Sequence, residues 1–232
     1  MQLARPADMK YDARRKREEH LRKFGAPENY FATWGDEYGL AILNGIRPMI
    51  DTYKNEGFKF AINSRHGYSA AAYLADLYWP PVHPDSNNST ITAKFNALGG
   101  DGYFGWYACQ HVGVENPAYI RRQYGLAPYR AGFSCHYNYA HHLNGYNDLR
   151  GSTYRAMNFV YGHGDGVLDT LAWEAFREGM DDIRYATHLQ HLAHPLVKSP
   201  ALQARYAAKK ALQLLADMNT DDFDLTTARL EM

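Results

Sequence analysis

Cysteine is nearly absent. The chain has only Cys109 and Cys135, and two cysteines make no disulfide framework. Both lie in apolar, aromatic segments and are expected to be buried free thiols. Long apolar runs are missing too: nothing approaches the roughly 18 residues that a membrane-spanning helix needs. The start, Met-Gln-Leu-Ala-Arg-Pro, lacks the apolar core of a secretory signal, which leaves the compartment open. Net charge is also lacking, because Lys+Arg and Asp+Glu balance at 25 each. No strong overall field therefore favours nucleic acid or an anionic membrane surface. The one basic cluster, Arg14-Arg15-Lys16-Arg17, sits in a mixed-charge helical segment over 10–24. Solenoid-type repeats and low-complexity segments are absent.

What the chain does have is aromatic surface. Phe, Trp and Tyr make up 14% of its 232 residues, with 19 tyrosines. These rings offer flat apolar faces with a polar handle, which suits both sugar rings and cores. With 46% hydrophobic residues the chain has the composition of a globular protein.

Hydrophobic periodicity gives an alternation of strands and helices. Strand-like runs are Tyr30–Trp34, Phe58–Ile62, Asp76–Trp79, Gly102–Cys109 and Gly132–Tyr139. Helical runs follow them up to about Glu56, over 68–74, over 89–98 and over Pro117–Tyr129. Such alternation implies a parallel α/β architecture. After Tyr139 the rhythm changes. Residues 140–152 read as a polar loop, and 157–168 as a hairpin turning at His163-Gly164-Asp165-Gly166. Asp169 or Thr170 caps a long helix over 171–193, and another helix follows over about 200–217. In the long helix Ala172, Phe176, Gly179, Ile183, Ala186 and Leu189 recur at steps of three and four, as a buried face does. Gly179 within that face implies close backbone packing. Arg177 and Asp181 stand at i, i+4 and read as an intrahelical pair.

In a parallel α/β protein the site lies at the C-terminal ends of the strands. The polar and aromatic residues there include Asp36 and Glu37; Asn63, Arg65 and His66; Trp79 and His83; Gln110, His111 and Glu115; and Asn138, His141 and His142. Candidate ligand contacts are Trp34, Asn63, His66, Trp79, Trp106, Gln110, His111, Glu115, Asn138 and Tyr139. Carboxylates, amides, imidazoles and aromatics together suit a polyhydroxylated ligand. Trp106 and Tyr107 alternate across a strand, so one faces the sheet interior and the other the helices. The spacing of His136, His141 and His142 fits no ordinary metal set, so neither a metal nor another cofactor is expected.

Asp36-Glu37 has two readings. Gly35 before it permits a break that lets two neighbours reach one site. Two close carboxylates in a partly dry mouth repel, so one titrates high and can act as a general acid. Alternatively, both complement the dipole of the helix that follows.

Three stretches carry a family resemblance. "DTLAWEAFREGMDDIRYATHL" (Asp169 to Leu189) resembles the helix that closes bacterial proteins of glycoside hydrolase family 123 and its associated domain of unknown function. "VGVENPAYIRRQYGLAPYRAGFSCHYNYAH" (Val112 to His141) is similar to the same family's segment across the last two barrel strands. "MNFVYGHGDGVLDT" is similar to its hairpin. The resemblance covers nearly the whole chain, best over 101–190. It implies the (β/α) TIM-barrel type of α/β fold, with one partial barrel domain over 1–232. Residues 157–232 form its hairpin and helical extension. It further implies retaining hydrolysis of β-linked N-acetylhexosamine, N-acetylgalactosamine favoured, by substrate assistance. In that chemistry Asp36 orients the 2-acetamido group, and Glu37 is the general acid and then the base.

With Tyr30–Trp34 as the fourth barrel strand, the five strands are four to eight. The first three, and the family's usual N-terminal β-rich domain, then lie outside this sequence. An open sheet exposes edges, so the expectation is a fragment of a longer protein, a late start codon, or a half completed by a second copy or a complementing chain. The expected partner is a glycan with an N-acetylated amino sugar, and neither nucleic acid nor membrane. The alternative function is non-catalytic carbohydrate binding or an inactive truncated barrel.

Overall fold

The structure is a computed structural model that describes residues 20, 23, 31–32, 39–55, 59–63, 74–79, 86–98, 103–108, 116–138, 141, 158–218 and 224–232. It is a mixed α/β protein with a parallel sheet, helices and a small antiparallel hairpin. The chain divides into two compact units. One holds most of the sheet and its helices. The other holds 108–132 together with 138–232, so the helices after the fourth strand belong with the C-terminal helices rather than with the strands that flank them.

The first unit contains β1 (Phe31–Ala32), α1 (Leu40–Asn55), β2 (Lys59–Ile62), β3 (Leu77–Tyr78), α2 (Ser86–Ala97), β4 (Tyr103–Ala108) and most of β5 (Cys135–Asn138). β1 pairs with β2, β2 with β3 and β3 with β4, all in parallel. β5 completes the order β1-β2-β3-β4-β5. Each strand lies beside its predecessor in sequence, as consecutive right-handed strand–helix units produce. All five lie inside the runs that alternation marked out. The strand pattern alternates because the sheet has two faces. Phe60, Ile62, Tyr78 and Phe104 point to one face and pack with Leu43 and Ile50 of α1 and Phe95 of α2. Tyr78, Phe95 and Phe104 meet pairwise with ring centroids 5.3–5.7 Å apart, within the range where aromatic pairs add to area burial.

Asp76 fastens the start of this sheet. Its N–H donates to the Phe60 carbonyl at 2.8 Å, and its own carbonyl accepts from Tyr103 N–H at 2.8 Å. Its carboxylate accepts from Phe60 N–H at 2.6 Å and pairs with Lys54 at 3.3 Å. One residue thus joins β2, β3, β4 and the end of α1.

The second unit contains α3 (Pro117–Tyr124), α4 (Leu126–Arg130), the hairpin β6 (Val160–His163) and β7 (Gly166–Asp169), α5 (Leu171–Leu196), α6 (Leu202–Asp217) and α7 (Leu225–Glu231). The hairpin pairs His163 with Gly166, so Gly164-Asp165 is its two-residue turn, as the motif implied. Thr170 caps α5 by accepting from Trp173 N–H at 3.1 Å, while its hydroxyl donates to the Phe159 carbonyl at 2.8 Å. Asn116 caps α3 by accepting from Tyr119 N–H at 3.0 Å. The helix α7 has no counterpart in the periodicity reading; Asp224 starts it, accepting from Thr226 N–H at 3.0 Å.

Two devices bind α3 to α5. Gly125 and Gly179 bring the backbones together: a Cβ on Gly179 would lie 2.6 Å from the Arg121 carbonyl and 3.1 Å from Gly125 N. The close packing expected of Gly179 is present. Beside it the fully buried Asp182 accepts from Arg121 Nε at 2.6 Å and Nη2 at 2.9 Å, and from Arg229 Nε at 2.8 Å. Arg121 also donates to the Leu225 carbonyl, and Arg229 reaches Glu178 at 2.6 Å. On the outer surface, Arg177 pairs with Glu174 and Arg184 with Asp181, both at i, i+3. The expected Arg177–Asp181 pair gives way to these because each arginine has a closer acid one turn before it.

Two substitutions follow. Asp182→Asn leaves two guanidiniums facing a neutral group and is expected to cost about 3–5 kcal/mol, whereas Glu174→Gln on the surface costs under about 0.5 kcal/mol. Denaturant unfolding of both variants checks the contrast. Gly179→Ala is expected to be a net loss. The helix gains about 1 kcal/mol of propensity, but a methyl group 2.6 Å from a backbone carbonyl forces the two helices apart at a typical cost of about 1–3 kcal/mol. A melting temperature above that of the parent contradicts this.

Candidate functional site

Parallel pairing sends the ends of β1 to β4 to one edge, where such proteins place their chemistry. Among the described residues that edge carries Asn63 directly after β2 and Trp79 directly after β3. Both are buried, at 3% and 6% exposure. Trp79 N–H donates to the Ile62 carbonyl at 3.1 Å, so the two strand ends stay in step.

The face opposite the helices is built from every second strand residue. Ala61, Leu77 and Trp79 pack with Cys135 and Tyr137. Trp79 and Tyr137 meet with ring centroids 4.7 Å apart, tilted by 52°. The cross-strand fit depends on Gly105, where a Cβ would meet Cys135 Sγ at 2.5 Å and its carbonyl at 2.6 Å. Period two in Cys135-His136-Tyr137 is the signal that marks Tyr137 as a member of this face, beside the residues that rim position alone had selected.

The electrostatics of β5 are those of a dry wall. Burial pushes the Cys135 thiol up to about 11, against a smaller lowering by its hydrogen bond with Tyr137. It is a free cysteine, and a protonated thiol is a poor nucleophile. Burial also raises the Tyr137 phenol well above its ordinary value, with Cys135 adding to the rise. Tyr137 is therefore a hydrogen-bond donor at neutral pH and no base. Burial pushes His136 down to about 4, which keeps the imidazole neutral.

Two other expected contacts are Trp106 and Asn138. Trp106 is fully buried, two residues along β4 from Phe104 and so on the helix-facing side of the sheet. The burial removes it from solvent on the side away from Trp79. Asn138 Oδ1 accepts from the Tyr124 hydroxyl at 2.9 Å within the second unit. There Tyr124 joins Phe159, Trp173 and Phe176 in an aromatic cluster. His141 stands edge-on to Trp173 at 5.2 Å, and its carbonyl accepts from Phe159 N–H at 2.9 Å. Asp36, Glu37, Trp34, His66, Gln110, His111, Glu115 and Tyr139 lie outside the described residues, as do Arg65, His83 and His142. Among the described residues no group of three or more His, Cys, Asp or Glu is arranged to hold a metal ion.

No family model matches the chain, and a search of the curated proteins returns no match. The family resemblance therefore rests on the motif residues themselves.

His136 generates a pH prediction. Its folded pKa of about 4 lies below the ordinary 6.5, so between these values the unfolded chain binds a proton that the folded one does not. Its contribution to stability is whole above about pH 6.5 and is lost progressively as pH falls toward 4. The change in unfolding free energy between pH 7 and pH 5 is expected to be smaller in His136→Asn than in the parent; equal changes refute it.

Proposed function

We propose that this protein is a glycoside hydrolase of the (β/α)-barrel type, acting on β-linked N-acetylhexosamine with Asp36 and Glu37 as its catalytic pair. The observation that carries the reading is the sheet. Its parallel strands run in unbroken sequential order, as in a barrel built of repeated strand–helix units, and Asp36-Glu37 comes in sequence directly after the first of them. The buried wall around Trp79 and Tyr137 supports it in a second way. Cys135 and Tyr137 are each held in the neutral form, so neither competes with a carboxylate for proton transfer.

The chemistry follows from the substrate. The 2-acetamido oxygen attacks the anomeric carbon as the glycosidic bond breaks, giving an oxazolinium ion. Asp36 accepts a hydrogen bond from the acetamido N–H and stabilises its growing positive charge. Glu37 gives a proton to the leaving oxygen, then takes one from the water that opens the ring, which restores both the acetamido group and the acid. Two displacements at one carbon retain configuration.

The test is turnover of an aryl N-acetyl-β-galactosaminide and of the matching aryl β-galactoside. The parent is expected to cleave the first and not the second, which lacks the internal nucleophile. Glu37→Gln is expected to lose about 10²–10⁴-fold with its melting temperature unchanged. Turnover of both substrates, or undiminished turnover in Glu37→Gln, overturns the proposal. Glycan binding without turnover, insensitive to Asp36→Asn, supports a binding protein instead.

A further inference from the structure

We propose that the tip of the α5–α6 helical hairpin docks on an anionic lipid surface. The whole-chain charge is zero, but it is unevenly spread. Between Asp182 and Asp217 there is no aspartate or glutamate, while Arg184, Lys198, Arg205, Lys209 and Lys210 all fall in that interval. Arg184 is paired with Asp181. Lys198, Lys209 and Lys210 are exposed, and no acidic neighbour within the interval screens them.

The same tip exposes apolar side chains. α5 and α6 pack on each other and bury Ala193 and Ala208 at 3% exposure each. Leu192 and Leu196, one turn apart at the end of α5, stay 53% and 42% exposed. Leu202 and Tyr206, one turn apart at the start of α6, stay 72% and 70% exposed. The short connection between Leu196 and Leu202 places these two pairs at one end of the helical hairpin. On α6, Leu202 and Tyr206 share a helix face with Arg205, Lys209 and Lys210 at steps of three and four, and apolar side chains beside cations match the acyl boundary and headgroup layer of an anionic bilayer. Nucleic acid would use the cations and leave the leucines in water. No helix among the described residues is long and apolar enough to cross a membrane, so the contact is peripheral.

The experiment is cosedimentation of the full chain with vesicles of phosphatidylcholine alone and of phosphatidylcholine mixed with phosphatidylglycerol. Binding is expected only to the mixed vesicles and to weaken as salt is raised. Lys209→Glu with Lys210→Glu, and separately Leu202→Ser with Tyr206→Ser, are each expected to weaken it by roughly tenfold or more. The two pairs are independent, so either one that retains the parent melting temperature suffices. Equal binding to both vesicle types, binding to neither, or retention on heparin or DNA without vesicle binding overturns the proposal. Glycosidase turnover plays no part in this readout.

Discussion

A single carboxylate sets the architecture of the second unit. Asp182 has no exposure to solvent, and an isolated charge there would carry a desolvation cost of several kcal/mol. It is tolerated because two guanidiniums meet it, Arg121 from α3 and Arg229 from α7. Each is itself tied to a backbone carbonyl, of Leu225 and Glu178 respectively. Three helices far apart in sequence are thereby fixed in one register. The Gly125–Gly179 approach has to coexist with that network, since Arg121 supplies both the carbonyl that a Cβ on Gly179 would strike and the side chain that holds Asp182. The apolar seam of Leu126, Ala186, Met218, Leu225 and Ala228 meets that network at Leu225, whose carbonyl accepts from Arg121.

Local patterns were legible and long-range partnerships were not. Short β-prone runs ending in glycine or polar residues mark all five strands, and in β2, β3 and β4 Phe60, Ile62, Tyr78 and Phe104 pack against α1 and α2. His163-Gly164-Asp165-Gly166 located the hairpin because only a few turns fit two residues. The step of three and four located α5, and Gly179 stood out as a glycine on a buried face. Sequence spacing gave Arg177–Asp181 as an ion pair, but side-chain reach at i, i+3 decided for Glu174 and Asp181 as the two acids. Nothing local marks Arg121 or Arg229 as partners of Asp182, 61 and 47 residues away. The same limit applies to the rim. Strand ends selected Asn63 and Trp79, which do end adjacent strands. They equally selected Trp106, whose parity with Phe104 turns it toward the helices, and Asn138, which a tyrosine of α3 occupies.

The character of β5 constrains the chemistry more than its list of polar residues suggests. A histidine, a cysteine and a tyrosine in succession on β5 look reactive in sequence. Burial moves each away from its charged form: thiol and phenol upward, imidazole downward. These shifts share one cause, desolvation, and opposite directions follow from the opposite charges of the ionised forms. A wall of this kind supplies shape and hydrogen-bond donors while leaving proton transfer to groups that keep some access to water, which is the role the proposed reaction assigns to Glu37.

Charge balance over the whole chain describes no particular surface. The acids concentrate where they are used internally: Asp76 joins three strands, Asp182 joins three helices, Glu174 and Asp181 each hold an arginine, and Asp224 caps α7. An acid engaged with its own backbone or its own helix contributes little field beyond a Debye length of about 8–10 Å. Lys198, Lys209 and Lys210 fall in an interval without aspartate or glutamate, so positive charge is concentrated along that stretch of sequence although the whole-chain sum is zero. Exposed leucines at the α5–α6 tip would be a solubility liability on a free surface, and cations beside them are what a surface destined for an anionic interface requires. The acid-free interval and the exposed leucines are then two consequences of one constraint, the surface chemistry of whatever the tip meets.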